Sequence, residues 1–253
     1  MLHTHQDLVS IITPSYNSEK FISETINSII NQTYTNWELL ITDDFSSDNT
    51  IKTIESFNKN DDRIKLFRLN ENQGAGFARN NSIKESKGKF IAFCDSDDQW
   101  KPNKLEKQIH FIKQNNLVFT YSSYDVIDES GNFIKSINSP ITLSLKNILS
   151  NNYVGCLTAI YDSEAIGKQY MPIIRKRQDW VLWINILKII GKTEGLQDSL
   201  ALYRLRKNSI SSNKVKMLKY NWSVYYNVLG FNIIKTILLM INFTIHYAIK
   251  KIK

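Results

Sequence analysis

The chain has 253 residues, 42% of them hydrophobic and 22% charged, which suits one large α/β domain or two small ones with a sizeable core. Two cysteines (Cys94 and Cys156) and four scattered histidines give neither a disulfide framework nor a zinc spacing, so a reducing setting fits and any metal would be held by oxygen. The net charge of +8 is unevenly placed: ten of the 32 basic residues follow Asp198 and no acidic residue does, leaving 22 basic against 24 acidic residues before it. Such a tail points to an anionic surface, membrane or nucleic acid. The polar opening, Leu2 to Asp7, predicts no secretory signal.

Leu8 to Thr13 reads as a strand, and Pro14-Ser15-Tyr16-Asn17-Ser18 turns it into a helix with Ser18 as N-cap and Glu19 in the first turn. Phe21, Ile22, Ile26, Ile29 and Ile30 form that helix's apolar face. A second strand, Trp37 to Thr42, stops at Asp43-Asp44, and a helix follows over 48–57. Arg63 to Leu69 alternates like a strand, and the Gly74-Ala75-Gly76 turn opens a helix carrying Arg79. Phe90 to Cys94 is the apolar run of a strand buried on both faces, and it halts at Asp95-Ser96-Asp97-Asp98. In an extended chain Asp95 and Asp97 point to one side. That pair would suit Mg²⁺ or Mn²⁺ carrying substrate phosphates. The alternative is a polar turn that caps the helix after Pro102.

Strands alternating with helices over the first hundred residues predict an α/β fold with a mostly parallel central sheet flanked by helices. Ligands of such sheets bind beyond the carboxyl ends of the strands. Three polar clusters fall there: Thr13 to Tyr16, Asp43-Asp44, and Asp95 to Asp98. The glycine turn at 74–76 matches no dinucleotide fingerprint, and no phosphate-cradling loop ends in Gly-Lys-Ser/Thr. Farther on, Leu117 to Asp128 reads as a strand, Glu129 to Asn132 as a turn and Gly155 to Tyr161 as a strand. Asp179 precedes an apolar helix, Trp180 to Ile190, either as its N-cap or as a functional carboxylate.

Six stretches, VSIITPSYN (9–17), WELLITDDFSSDNT (37–50), NQGAGFARN (72–80), GKFIAFCDSDDQW (88–100), RKRQDWVLW (175–183) and YRLRKNSISSNK (203–214), resemble in order and spacing the family 2 inverting glycosyltransferases of GT-A fold. The likeness is to bacterial enzymes that build surface polysaccharides such as teichuronic acid and O-antigen. It implies that residues 1–213 form the glycosyltransferase domain, with 1–100 binding the nucleotide sugar and 101–213 the acceptor. Tyr16 is then expected to stack on the base, above a turn shaped by Thr13 and Pro14. Asp44 would bind base or ribose, Arg79 would lie near the diphosphate, and Ser96 would help hold the donor. Asp95 and Asp97 would hold Mn²⁺ or Mg²⁺, and Asp179 would be the general base. Arg177, Arg204 and Arg206 are candidate contacts to acceptor or phosphate. Two positions depart from the family pattern. Gln178 stands where Glu usually precedes the base, removing a negative charge. Arg206 stands where a histidine often appears, which removes a metal ligand and offers a fixed cation for phosphate instead.

The resemblance implies a single inverting displacement on a nucleotide sugar, expected to be UDP-linked. The acceptor would be a polysaccharide or undecaprenyl-diphosphate-linked glycan. A nucleotidylyltransferase is the enzyme alternative, but the loop after the first strand lacks glycine. A nucleic-acid binder is the non-enzymatic one, yet acidic strand ends repel phosphate and no helix-turn-helix or RNA-recognition pattern is present. No nucleic-acid partner is therefore expected. In the tail, residues 214–253, the polar positions Asn232, Lys235, Asn242, His246, Lys250 and Lys253 fall on one stripe of a helix beside a wide apolar face. Its longest apolar run, Ile237 to Ile241, is too short to span a bilayer. The expectation is peripheral attachment of a cytoplasmic enzyme to the inner face of the cytoplasmic membrane. The alternative is packing on the protein's own body or on a second subunit of a homo-oligomer.

Overall fold

The computed structural model describes residues 7–206 and 214–252. Its first half follows the alternation read from sequence: β1 (Val9–Ser15), α1 (Ile22–Ile30), β2 (Trp37–Asp43), α2 (Thr50–Asn58), β3 (Ile64–Arg68), α3 (Ala75–Glu85) and β4 (Phe90–Phe93). Next come the two-residue β5 (Gln99–Trp100), α4 (Lys104–Gln114), β6 (Phe119–Ile127), β7 (Phe133–Ile137), β8 (Thr142–Ser144) and α5 (Leu145–Ser150). A 3₁₀ turn (Cys156–Thr158), β9 (Ile160–Asp162), the single-turn α6 (Ser163–Ile166), α7 (Gln178–Ile190) and β10 (Lys192–Arg204) complete the body. Two tail helices follow, α8 (Lys214–Ser223) and α9 (Ile233–Ile252), with a π-helical turn between them at Val224–Val228.

The strands form one sheet in the order β3-β2-β1-β4-β9-β6-β10-β5, with β7 added to β6 and β8 to β10. The first four are parallel neighbours, while β9 runs antiparallel to both β4 and β6. Because side chains alternate across a strand, Ile12, Leu40 and Phe93 enter the core on one face, and Ile11, Leu39 and Ala92 the core on the other. The second face is covered by α1 through Ile22, Ile26 and Ile29 and by α4 through Leu105, Ile109 and Ile112. The first is covered by α7, which is apolar all round because it lies beneath further structure: Trp180, Val181, Leu182, Trp183, Ile184, Ile186 and Leu187 are all buried.

Several expectations need correction. Ser18 is not a side-chain cap: α1 begins at Ile22, and the Ser18 hydroxyl bonds that of Ser96 at 2.7 Å. Residues 155–161 are not one strand, since the 3₁₀ turn consumes their first half. Residues 95–98 are not extended; the Asp98 N–H closes a turn on the Asp95 carbonyl at 3.0 Å, so alternation does not explain how Asp95 and Asp97 come together. Nor does that turn cap α4, whose N-cap is Asn103 with no side-chain bond. Asp179 is no N-cap either: Arg177 caps α7, and Asp179 sits inside its first turn. No local pattern announces strand β10, because charged and polar residues interrupt its apolar ones and it bulges against β6 between Leu196 and Leu202.

The tail is not a free appendage. Val224, Tyr225 and Phe243 are buried in the same core cluster as α7. The Trp180 ring meets Tyr225 edge-on at 5.4 Å and Phe243 at 6.1 Å, and the Tyr225 hydroxyl donates to the Leu149 carbonyl at 2.6 Å. Replacing Tyr225 by alanine is expected to cost about 3–5 kcal/mol, as for other buried aromatic truncations. For a chain of this size that is a melting temperature lower by about 6–20 °C. A thermal melt of Tyr225→Ala within about 2 °C of the native chain would show that the tail adds little to the core.

Candidate active site

Parallel β1, β2 and β4 end at one edge of the sheet, and the polar clusters that follow them converge there with the start of α7 and the end of β10. They enclose a cleft of about 970 Å³. Its walls include Pro14, Tyr16, Asp44, Arg79, Asp95, Ser96, Asp97, Arg177, Asp179, Arg204 and Arg206. Of the residues to which the family resemblance gives a role, only Thr13 falls outside this lining: it is fully buried beneath the turn, its hydroxyl without a hydrogen-bond partner among the described residues.

On the β1–β2 side, Tyr16 is 49% exposed at the lip, an aromatic face open to a flat ligand. Asp44 is buried, and its two carboxylate oxygens accept the Gln73 and Gly74 N–H groups at 2.7 and 2.8 Å. Gly74 can take part because its φ of +89° is a conformation that a side chain would strain. This anchor fixes the start of α3 and so aims Arg79. A Cβ at Gly76 would lie 2.9 Å from the Gln178 amide nitrogen, which is how closely α3 approaches α7.

The acidic turn is held by arginines. Arg79, buried, donates to Asp95 at 2.5 Å and to the Gln178 side-chain oxygen at 3.2 Å. Burial opposes its charge, and Asp95 more than restores it. Arg206 donates to Asp97 at 3.3 Å. Burial and the neighbouring Asp95 push the Asp97 carboxyl up, with Arg206 opposing. Asp98 faces inward, where burial, Asp97 and Asp95 drive its carboxyl far above the usual range, and it accepts the Arg204 N–H at 2.9 Å. The Arg204 guanidinium is also buried, bonded to the carbonyls of Asp97, Asp128 and Glu129 and to the Glu24 carboxylate. Its donors thus serve the fold, although the residue borders the cleft.

Two carboxylates on one turn form a hard oxygen donor set. Among the described residues no group of three or more His, Cys, Asp or Glu side chains forms a metal cage. The raised Asp97 carboxyl is what a divalent cation between the two acids would relieve. The residues therefore fit a cation that completes its shell with substrate phosphate.

Also lining the cleft, Asp179 accepts a hydrogen bond from Asn152 at 3.0 Å, which orients it. Asn152 carried no signal in sequence, being 27 residues away in an irregular segment. Gln178 spends its amide on Arg79 and on the Ile174 carbonyl, linking the acidic turn to the helix of Asp179. Arg177 adopts φ +67°, a left-handed conformation costing a long side chain about 1–3 kcal/mol and typical of functional sites. Burial also pulls its pKa down, opposed by Asp179.

Residues 10–184 match the family described as glycosyl transferase family 2. A Bacillus subtilis (strain 168) protein assigned provisionally to teichuronic acid biosynthesis as a glycosyltransferase is 41% identical over 87% of this chain and 88% of its own length. An Escherichia coli UDP-Glc:alpha-D-GlcNAc-diphosphoundecaprenol beta-1,3-glucosyltransferase is 44% identical over 86% of this chain and 85% of its own. The fold matches that of S. aureus TarS 1-349 in complex with UDP-GlcNAc, with a TM-score of 0.70 at 21% identity over 94% of this chain and 72% of that one. With that sheet, that cleft and these relatives, the chain belongs to glycosyltransferase family 2 and is a glycosyltransferase of GT-A fold.

Proposed function

We propose that the chain transfers a sugar, with inversion, from a UDP-linked donor to a hydroxyl of an undecaprenyl-diphosphate-linked glycan at the inner face of the cytoplasmic membrane, building a bacterial surface polysaccharide of the O-antigen or capsule kind. The observation that carries this reading is that the Asp95–Asp97 turn and the oriented carboxylate of Asp179 line one cleft. The names of the Escherichia coli relatives support the donor and acceptor classes.

In this mechanism Tyr16 stacks on the base, Asp44 and Ser96 border the nucleoside, and Arg79 and Arg206 face the diphosphate. Asp179 takes the proton of the acceptor hydroxyl as that oxygen bonds to the anomeric carbon. The bond from that carbon to the nucleotide's terminal phosphate oxygen breaks on the opposite face, so one displacement inverts the centre. The leaving diphosphate gains negative charge, which the two arginines stabilise in a partly desolvated site. Asp95 and Asp97 would hold Mn²⁺ or Mg²⁺, which supplies Lewis-acid neutralisation of that charge. A neighbour in fold, from Pyrobaculum calidifontis, is bound to GDP-Man and Mn²⁺.

The tail gives the membrane reading its support. While Thr236 and Phe243 of α9 are buried, Ile234, Ile237, Leu238, Ile241 and Ile245 form an exposed stripe on the other side. Among the described residues no helix is long and apolar enough to cross a membrane. A helix apolar on its outer side, in a tail with seven basic and no acidic residues, suits an interface with anionic headgroups.

Replacing Asp97 by alanine is expected to abolish turnover and the Mn²⁺-dependent part of UDP binding while the fold survives. Calorimetric titration with and without Mn²⁺ reads this, and unchanged metal-dependent affinity removes Asp97 from the site. Asp179→Asn should lower the rate by roughly 10²–10⁴-fold with little change in UDP affinity. A near-native rate, or a product that keeps the donor's anomeric configuration, defeats the single displacement. Full-length protein should float with anionic liposomes at low salt, and Ile234→Gln/Ile241→Gln/Ile245→Gln should not. Equal flotation of the two, or a dimer that the triple substitution dissociates, replaces the membrane by another cover for α9.

A further inference from the structure

The cleft has a second set of cations, distinct from the arginines on the acidic turn. Arg175, Lys176 and Arg177 line the wall that leads to Asp179, next to Ile173 and Ile174. No carboxylate lies in the stretch 165–178, and the first to follow it is Asp179 itself. Two of the three are also held in position. Arg177 keeps its left-handed backbone while its Nε donates to the Asn221 side chain at 2.9 Å, and its guanidinium lies 5.4 Å from the Trp180 ring. The Lys176 ammonium lies 5.0 Å from the Tyr220 ring. Asn221 and Tyr220 are neighbours on α8, and Met217, one turn earlier, borders the same cleft. A run of cations serving only as a solvated surface would need neither a strained backbone nor anchors from another helix.

We infer that Arg175, Lys176 and Arg177 form the subsite for the diphosphate of the acceptor, a lipid-linked diphosphate sugar, apart from the place of the donor's diphosphate. The inference rests on the proposed glycosyl transfer and adds where the acceptor is gripped. Arg177 is two residues from Asp179 and Arg175 four, spans of at most about 7 and 14 Å of chain. A diphosphate held there therefore lies close to the sugar whose hydroxyl Asp179 deprotonates. Guanidinium groups match phosphate with paired N–H donors, and an ammonium adds a compact charge. The donor side needs none of the three, since Arg79 and Arg206 already face the acidic turn. Two diphosphates can thus occupy one cleft without sharing a cation.

The test fills the donor side first, with saturating UDP and Mn²⁺, and then titrates farnesyl diphosphate into the full chain by calorimetry. Farnesyl diphosphate should bind without displacing UDP, and more tightly than farnesyl monophosphate. Arg175→Gln, at an exposed position, should weaken it about tenfold or more, the loss of one charge-assisted contact, with UDP affinity within twofold of native. Arg177→Lys, which keeps the charge but loses the planar fork, should weaken it as well. Equal farnesyl diphosphate affinity in Arg175→Gln and the native chain overturns the subsite, as does displacement of UDP by the probe. Failure of the native chain to bind UDP at all would bring down the donor reading and this inference with it. UDP binding with unaffected variants removes the subsite alone.

Discussion

Three carboxylates within four residues at the end of a buried strand are an electrostatic problem, and the site is organised around its solution. Unit charges about 4 Å apart in the partly shielded margin of a protein interact by about 4 kcal/mol, so each crowded acid needs a cation or a proton. Arg79 reaches Asp95 from α3 and Arg206 reaches Asp97 from beyond β10. Asp98, turned inward, is pushed toward its neutral form instead. Arg204 then locks the turn by bonding the Asp97 carbonyl, the Asp128–Glu129 loop and Glu24 of α1 at once. The cations that face Asp95 and Asp97 are also well disposed toward a diphosphate.

The same economy appears around Asp179. Asp179 lies in the first turn of a helix that is otherwise core, so its position is inherited from the packing of Trp180 and Trp183. Asn152 orients the carboxylate, while Gln178 ties the helix start to Arg79. Gln178 is neutral, so Asp95 is the only carboxylate in contact with Arg79 among the described residues. The acidic turn and the start of α7 are thereby coupled through one buried amide.

The tail extends this arrangement outward. Its first helix anchors Arg177 through Asn221, and its second buries Phe243 against Trp180. One side of α9 thus belongs to the core, and the exposed stripe on its other side is geometrically tied to the cleft. Whatever covers that stripe sets the direction in which the cleft faces.

Sequence alone determined the parallel half of the sheet, because strands buried on both faces are near-continuous apolar runs and the turns after them are strongly polar. It also singled out Tyr16, Asp44, Asp95, Asp97 and Asp179, which a strand end or helix start marks, and the order of six motifs ties these and Arg79 to one family. Tertiary structure alone decided what those residues touch. The Asp95–Asp97 pairing arises from a turn and not from strand alternation, and Arg204 proves to be a clamp because its donors meet carbonyls 75 and more residues away. Strand β10 was hidden because its polar residues are accommodated by bulges and partners that no local pattern announces. Asn152, Asn221 and the cations at 175–177 acquire their roles only when distant segments pack together, for a hydrogen bond across 27 or 44 residues leaves no trace in spacing.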